Sequence, residues 1–236
     1  MVSKTNWKAW VVLGAAVALF ATSGGILMAS NMGFKINTAL QNGFIAPGPK
    51  GDNWRAIPWV SPNTTYTAMC NTFAAAGATK ANVTIAQINA STGAATSANC
   101  AVGSATAIDP TRGVRVRITG GVAPASPTNI VLVGSSNESA SFPILQGGFV
   151  APGPKGDNWL GIPYHTTWTK AQDICTSYGF VLATGVTVAR IDAASGAATS
   201  FTCGLTANNF NLVIGEAIRI RKTTAGNPAA LLPPHF

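Results

Sequence analysis

Acidic residues are scarce in this chain. Seven Asp and Glu side chains serve 236 residues, so the two facing carboxylates that a glycosidase needs have few positions to come from. The first half offers Asp52 and Asp109, the second Glu138, Asp157, Asp173, Asp192 and Glu216. Histidine is scarcer still, with His165 and His235 alone. A nucleophile, base and orienter cannot be assembled around His165, which reads as a packed or solvent-facing residue beside Tyr164 and Thr166, and no catalysis is expected. The four cysteines include no closely spaced pair, and two histidines do not complete a zinc ligand set, so no metal or other cofactor is expected. Basic residues are not missing, since 15 Lys and Arg give a formal net charge of +8. They are scattered, however: Lys35, Lys50, Arg55, Lys80, Lys155 and Lys170 stand singly, and the densest group is Arg219, Arg221 and Lys222. Nucleic-acid surfaces cluster their cations among aromatics, so nucleic acid is excluded as a partner. Charged residues make up 9% of the chain and apolar ones 47%. A disordered chain would reverse that balance, whereas short strands with small uncharged surface residues match it.

What is present begins with an export signal. Lys4 and Lys8 precede residues 9–29, which carry no charge. Two readings of residues 1–29 stand side by side. A cleaved signal peptide would use residues 10–21 as its apolar core and the small residues 22–25 near the cleavage point. A retained membrane or assembly helix would use Ile26, Leu27 and Met28 to reach bilayer-spanning length. Under either, the chain beyond Asn31 lies outside the cytoplasm.

The rest is a duplication. Residues 46–54 read APGPKGDNW, and residues 151–159 repeat all nine. Cys70 and Cys175 keep that offset of 105, residues 83–100 match 186–203 at 103, and residues 113–118 are aligned with 215–220 at 102. A period near 100 residues suits a folded domain rather than a solenoid unit. The expected organisation is repeat one over 30–134 and repeat two over 135–236. Residues 121–128 are a Pro-containing turn region, and residues 229–232 occupy the place that 130–133 hold in repeat one, as a strand that either closes its own domain or pairs with a neighbour's edge.

Within each repeat the pattern is mostly period two. Val114, Val116 and Ile118 oppose Arg115 and Arg117, and Ile218 and Ile220 oppose Arg219 and Arg221, which reads as strands with a basic outer face. Residues 53–60, 83–88 and 130–133 read as further strands, 89–93 as a turn, and Pro58 and Pro163 as marks of an edge or bulge. One short helix per repeat is expected, over 67–76 and after a Thr169/Gln172 capping box. The fold class is therefore mainly β: two tandem β-sandwich-like domains, each with a short helix, behind an N-terminal apolar helix.

The stretch from Asn158 to Thr166 (NWLGIPYHT), then Asp173-Ile174-Cys175, Phe201-Thr202-Cys203-Gly204 and Ile214-Gly215-Glu216, resembles a β-rich repeat module of bacterial envelope and secreted proteins. That module's pattern runs NW-x-S-x-PY, then LC, then Y-x-C-G, then PGEG. The resemblance implies a secreted, non-enzymatic module. Repeat one departs from it at Trp59 and at Arg112-Gly113-Val114.

Two cysteines per repeat at matched places, in a chain that leaves the cytoplasm, predict disulfides Cys70–Cys100 and Cys175–Cys203. The duplicated block is the best functional candidate, with Pro47, Lys50, Asp52 and Trp54 and their copies Pro152, Lys155, Asp157 and Trp159. It reads either as a Pro- and Gly-shaped surface turn leading into a strand, or as a contact loop whose lysines meet an acidic partner or neighbouring subunit. The expected function is structural, within a surface layer, filament or similar envelope or extracellular assembly, with other protein subunits as partners. Two alternatives are a glycan-binding or adhesion module displaying Trp54, Trp59, Trp159, Tyr164 and Trp168, and an accessory subunit of a membrane complex anchored through residues 1–29.

Overall fold

Alternating apolar residues build most of the ordered backbone. The structure, a computed structural model, describes residues 34–44, 46, 48–119, 128–137, 139–142, 145–151 and 153–228. The expectations placed on residues 1–29, 121–127 and 229–232, on Pro47 and on Pro152 lie outside these residues. In chain order the described elements are β1 (Phe34–Leu40), β2 (Asp52–Arg55), α1 (Tyr66–Ala75), β3 (Val83–Ile88), β4 (Ala95–Asn99), β5 (Val114–Ile118), β6 (Thr128–Gly134), β7 (Asn158–Gly161), α2 (Ala171–Ser177), β8 (Val186–Ile191), β9 (Ala198–Thr202) and β10 (Ala217–Lys222). The described residues are thus mainly β, with two short α-helices and several sheets.

The two four-stranded sheets are antiparallel and share one order, β2-β5-β3-β4 and β7-β10-β8-β9, while β1 pairs with β6. Their registers correct the sequence alignment. Trp54 lies opposite Arg115 and Trp159 opposite Arg219, so β5 and β10 correspond at an offset of 104 (Arg115 to Arg219), not 102. The physical reason is that sliding a strand by two residues leaves every side chain on its original face. Alternation alone cannot distinguish the two offsets.

One face of each sheet is apolar and covered by the helix of its own repeat. Val83, Ile85, Ala98, Val114 and Val116 are buried in the first; Ile174 and Cys175 of α2 pack with Val186, Val188, Phe201, Ile218 and Ile220 in the second. The expected disulfides are both formed, Cys70 of α1 to Cys100 and Cys175 of α2 to Cys203. Each ties a helix to the residue that follows an edge strand. Removing Cys70–Cys100, which spans 30 residues, is expected to lower the unfolding free energy by about 3–4 kcal/mol from loop entropy. Urea denaturation of the Cys70→Ala/Cys100→Ala variant checks this, and a loss below about 1 kcal/mol would contradict it.

Local details differ from expectation in instructive ways. The strand read over 53–60 ends at Arg55, ahead of Pro58, and Val60 forms only an isolated bridge to Ser135. Proline brings no ladder donor, so pairing stops before it. Helix α1 starts after Thr65, whose Oγ1 accepts the Ala68 N–H at 3.2 Å. Helix α2 starts after Lys170 rather than Thr169, and Asp173 rather than Gln172 closes the cap, accepting the Thr169 and Lys170 N–H groups at 2.7 and 2.9 Å. Partial burial disfavours the charged carboxylate of Asp173, yet these donors prevail and hold it below its ordinary pKa. A carboxylate at a helix N-terminus is better placed for this than a neutral amide. Strands β4 and β9 carry little strand signal of their own, because ATSAN and ATSFT are poor in β-branched apolar residues.

Candidate functional site

The duplicated block can be followed residue by residue. Its Gly-Pro-Lys-Gly turn ends at Gly51 and Gly156, with φ of +81° and +82°, and a Cβ there would come within 2.7 and 2.9 Å of the Cα atoms of Phe44 and Phe149. Only glycine satisfies both the left-handed backbone and that closeness. Next, Asp52 forms a two-pronged ion pair with Arg117, with Nη2 to Oδ2 at 3.0 Å, and Asp157 does the same with Arg221, also at 3.0 Å. Each of these guanidinium groups lies over a phenylalanine, Arg117 at 4.1 Å from Phe44 and Arg221 at 4.2 Å from Phe149.

Asn53 and Asn158 are buried and fully used. Asn53 Oδ1 accepts the Gln41 N–H, and its Nδ2 donates to the carbonyls of Gln41, Gly51 and Val116. Asn158 repeats this with Gln146, Gly156 and Ile220. The asparagine therefore stitches the segment before the loop, the loop itself and the central strand together. Nothing in the composition points to these residues, although their place inside an identical block is a signal.

The tryptophans leave their own repeats. Trp54 and Trp159 stack on each other with ring centroids 3.4 Å apart and planes 2° from parallel. Ala217, Ile88 and Ile191 pack around them. Arg115 lies 5.7 Å from the Trp54 ring and Arg219 5.8 Å from the Trp159 ring, so each indole is flanked by the other indole and by an arginine. Burial is the main reason the Arg115 and Arg219 pKa values fall; neighbouring Arg117 and Arg221 add to it, and Asp52 and Asp157 oppose it. The arginine face of β5 and β10 is therefore not an outer face, as alternation suggested. It is turned toward the sister repeat.

Backbone contacts cross the same joint in reciprocal pairs. Gly51 N–H donates to the Ala193 carbonyl and Gly156 N–H to the Ala90 carbonyl, both at 2.7 Å. Ala56 N–H donates to Gly215 at 2.9 Å and Gly161 N–H to Thr111 at 3.2 Å. Bridges Arg55↔Glu216 and Arg112↔Leu160 complete the set. The hairpin glycines opposite the loops leave no spare room: a Cβ on Gly93 would sit 2.8 Å from the Lys155 nitrogen, and one on Gly196 2.8 Å from the Lys50 nitrogen. Such exchange of equivalent contacts is the pattern of a two-fold interface, realised here inside one chain.

Of the proposed contact residues, Trp54 and Trp159 meet directly, Asp52 and Asp157 bind arginines of their own repeats, and Lys50 and Lys155 touch the sister hairpin through their backbones. Both lysine side chains are exposed, and among the described residues neither is paired with a carboxylate. Of the five aromatics proposed as a glycan platform, Trp54, Trp59, Trp159 and Trp168 are buried and only Tyr164 is exposed, at 37%. No group of three or more metal-ligating side chains occurs among the described residues. Comparison with protein-family models, with curated proteins and with solved structures yields no match.

Proposed function

We propose that this chain is a non-catalytic structural protein of the cell envelope or of an extracellular assembly, in which two β-rich repeats act as one rigid body. The observation that carries the reading is the destination of the nine-residue block. A stretch kept identical to hold a ligand would display its side chains, whereas Asp52, Asn53, Trp54 and their copies are buried. Their work is to fix each repeat and lock it onto the other. The sandwich-like character then lies in the apposition of the two Trp-bearing sheet faces across the joint.

The two disulfides fit a compartment where thiols oxidise, and the resemblance to bacterial envelope modules points to the same place. Burial of four tryptophans removes the flat aromatic surface on which the glycan alternative rested. Partners are then other protein subunits, including further copies. Sedimentation of protein in its native state tests this: a mass well above the 24.1 kDa of one chain is expected. A clean monomer that turns over a substrate would overturn it, and a monomer that binds a glycan would transfer the argument to adhesion.

A further inference from the structure

Another identical stretch has no role in the joint beyond its glycine. Residues 93–97 and 196–200 both read GAATS. Apart from Gly93 and Gly196, which pack against the sister loops, every residue of both copies is exposed. Ala98 and Phe201 of these strands are buried, but folding places little demand on the identity of the exposed alanine, threonine and serine before them. Identity here calls for a use outside the molecule.

The stretch supplies the first three residues of β4 and β9, which stand at the free edges of their sheets, with one neighbour each. Cys100 N–H donates to the Val83 carbonyl, and Asn89 N–H to the Ala94 carbonyl. Given the β3–β4 register, Thr96 and Ala98 face β3, and Ala95 and Ser97 turn their N–H and C=O groups outward. Cys203 to Val186 and Asp192 to Ala197 fix β9 in the same way, leaving Ala198 and Ser200 outward. Among the described residues, no hydrogen-bond partner meets these outward groups. Soluble proteins normally blunt an open edge with charge, proline or a bulge, and β4 and β9 carry no charge and no proline. The opposite edges, β2 and β7, are engaged at the joint through Arg55 and Leu160.

We propose that β4 and β9 are assembly edges, through which copies of this chain pair antiparallel into an open chain. This rests on the structural reading above. Outward donors and acceptors alternate along each edge, so an identical edge laid antiparallel is complementary to it, and the small side chains oppose no approach. Each such pair is self-complementary. Because every copy carries two of them, association does not close at a dimer.

The test uses the full chain and the variants Ser97→Pro, Ser200→Pro and both together. The N–H lost by each proline points away from the neighbouring strand, so the internal ladder keeps its bonds while the outer edge is blocked. Ser97→Lys and Ser200→Lys repeat the test with charge in place of proline, should the ring disturb folding. Sedimentation velocity and negative-stain microscopy read the assembly, with thermal melts confirming an intact fold. Wild type is expected to form extended chains, each single variant to stop at dimers, and the double variant to be monomeric. Wild-type-like assembly by both double variants would overturn the edge assignment and leave the structural reading standing. A wild-type protein that stays monomeric at every concentration would overturn both.

Discussion

Replacing Trp159 with alanine is expected to lower the unfolding free energy by about 3–5 kcal/mol, the cost of a large aromatic truncated in a packed interior. The indole is buried on the sheet face that meets the other repeat, and its removal leaves Trp54 without its stacking partner. Arg219 loses the ring beneath it as well, while remaining beside Arg221 in a partly desolvated place. Trp54→Ala should cost a similar amount. The double variant should cost less than the two together, because one stack is lost in each case, and the shortfall should be about 0.5–1.5 kcal/mol. Denaturation followed by far-ultraviolet circular dichroism avoids relying on the fluorophore that was removed. The single variants should also broaden or split the transition, since the repeats lose much of what makes them unfold together. Single losses below 1 kcal/mol, or strict additivity, would show that the stack is not what couples the repeats.

How much of this was legible in the sequence depends on the range of the interaction. The duplication was plain because identical residues need no structural inference, and the disulfides followed because Cys70, Cys100, Cys175 and Cys203 recur at matched places. Alternation against one buried face marks strands β3, β5 and β10, and β8 follows as the aligned copy of β3. The joint did not. A tryptophan after a turn reads equally well as the core of its own domain, and the pattern of β5 shows that Arg115 and Arg117 share a face without showing what that face meets. Only the fold brings Trp54 to Trp159, although they are 105 residues apart in sequence. Strands β4 and β9 failed for a different reason. Their pairing is specified by β3 and β8 and by the tight turns at residues 89–93 and 192–196, so their own side chains carry no strand signal. The same edge position leaves those side chains free to serve an external contact.

Asn158 offers the sharpest separation of shape from hydrogen bonding. Its exposure is 4% and that of Asn53 is 0%, and leucine has the same branched side-chain skeleton with bulkier methyl ends, so Asn158→Leu removes every polar contact and adds some overpacking. The Gln146 N–H and the carbonyls of Gln146 and Gly156 then lose this partner, and the Ile220 carbonyl keeps only its β7–β10 ladder contact. Buried groups left unsatisfied cost about 1–3 kcal/mol each, and with Gln146 only half-buried the sum is expected near 3–5 kcal/mol. Asn158→Asp asks a second question of the same site. Its carboxylate would retain the acceptor for the Gln146 N–H but face three carbonyl oxygens where the amide donated. The folded state therefore favours the protonated acid, raising its pKa above the unfolded value of about 3.9. Above that value the native protein binds more protons than the unfolded chain, so stability relative to wild type falls as pH rises. Chemical denaturation at pH 4 and pH 7 should find Asn158→Asp much closer to wild type at the lower pH, and Asn158→Leu equally impaired at both. A pH-independent Asp variant, or a Leu variant within 1 kcal/mol of wild type, would mean that the asparagine is not the stitch between loop and central strand.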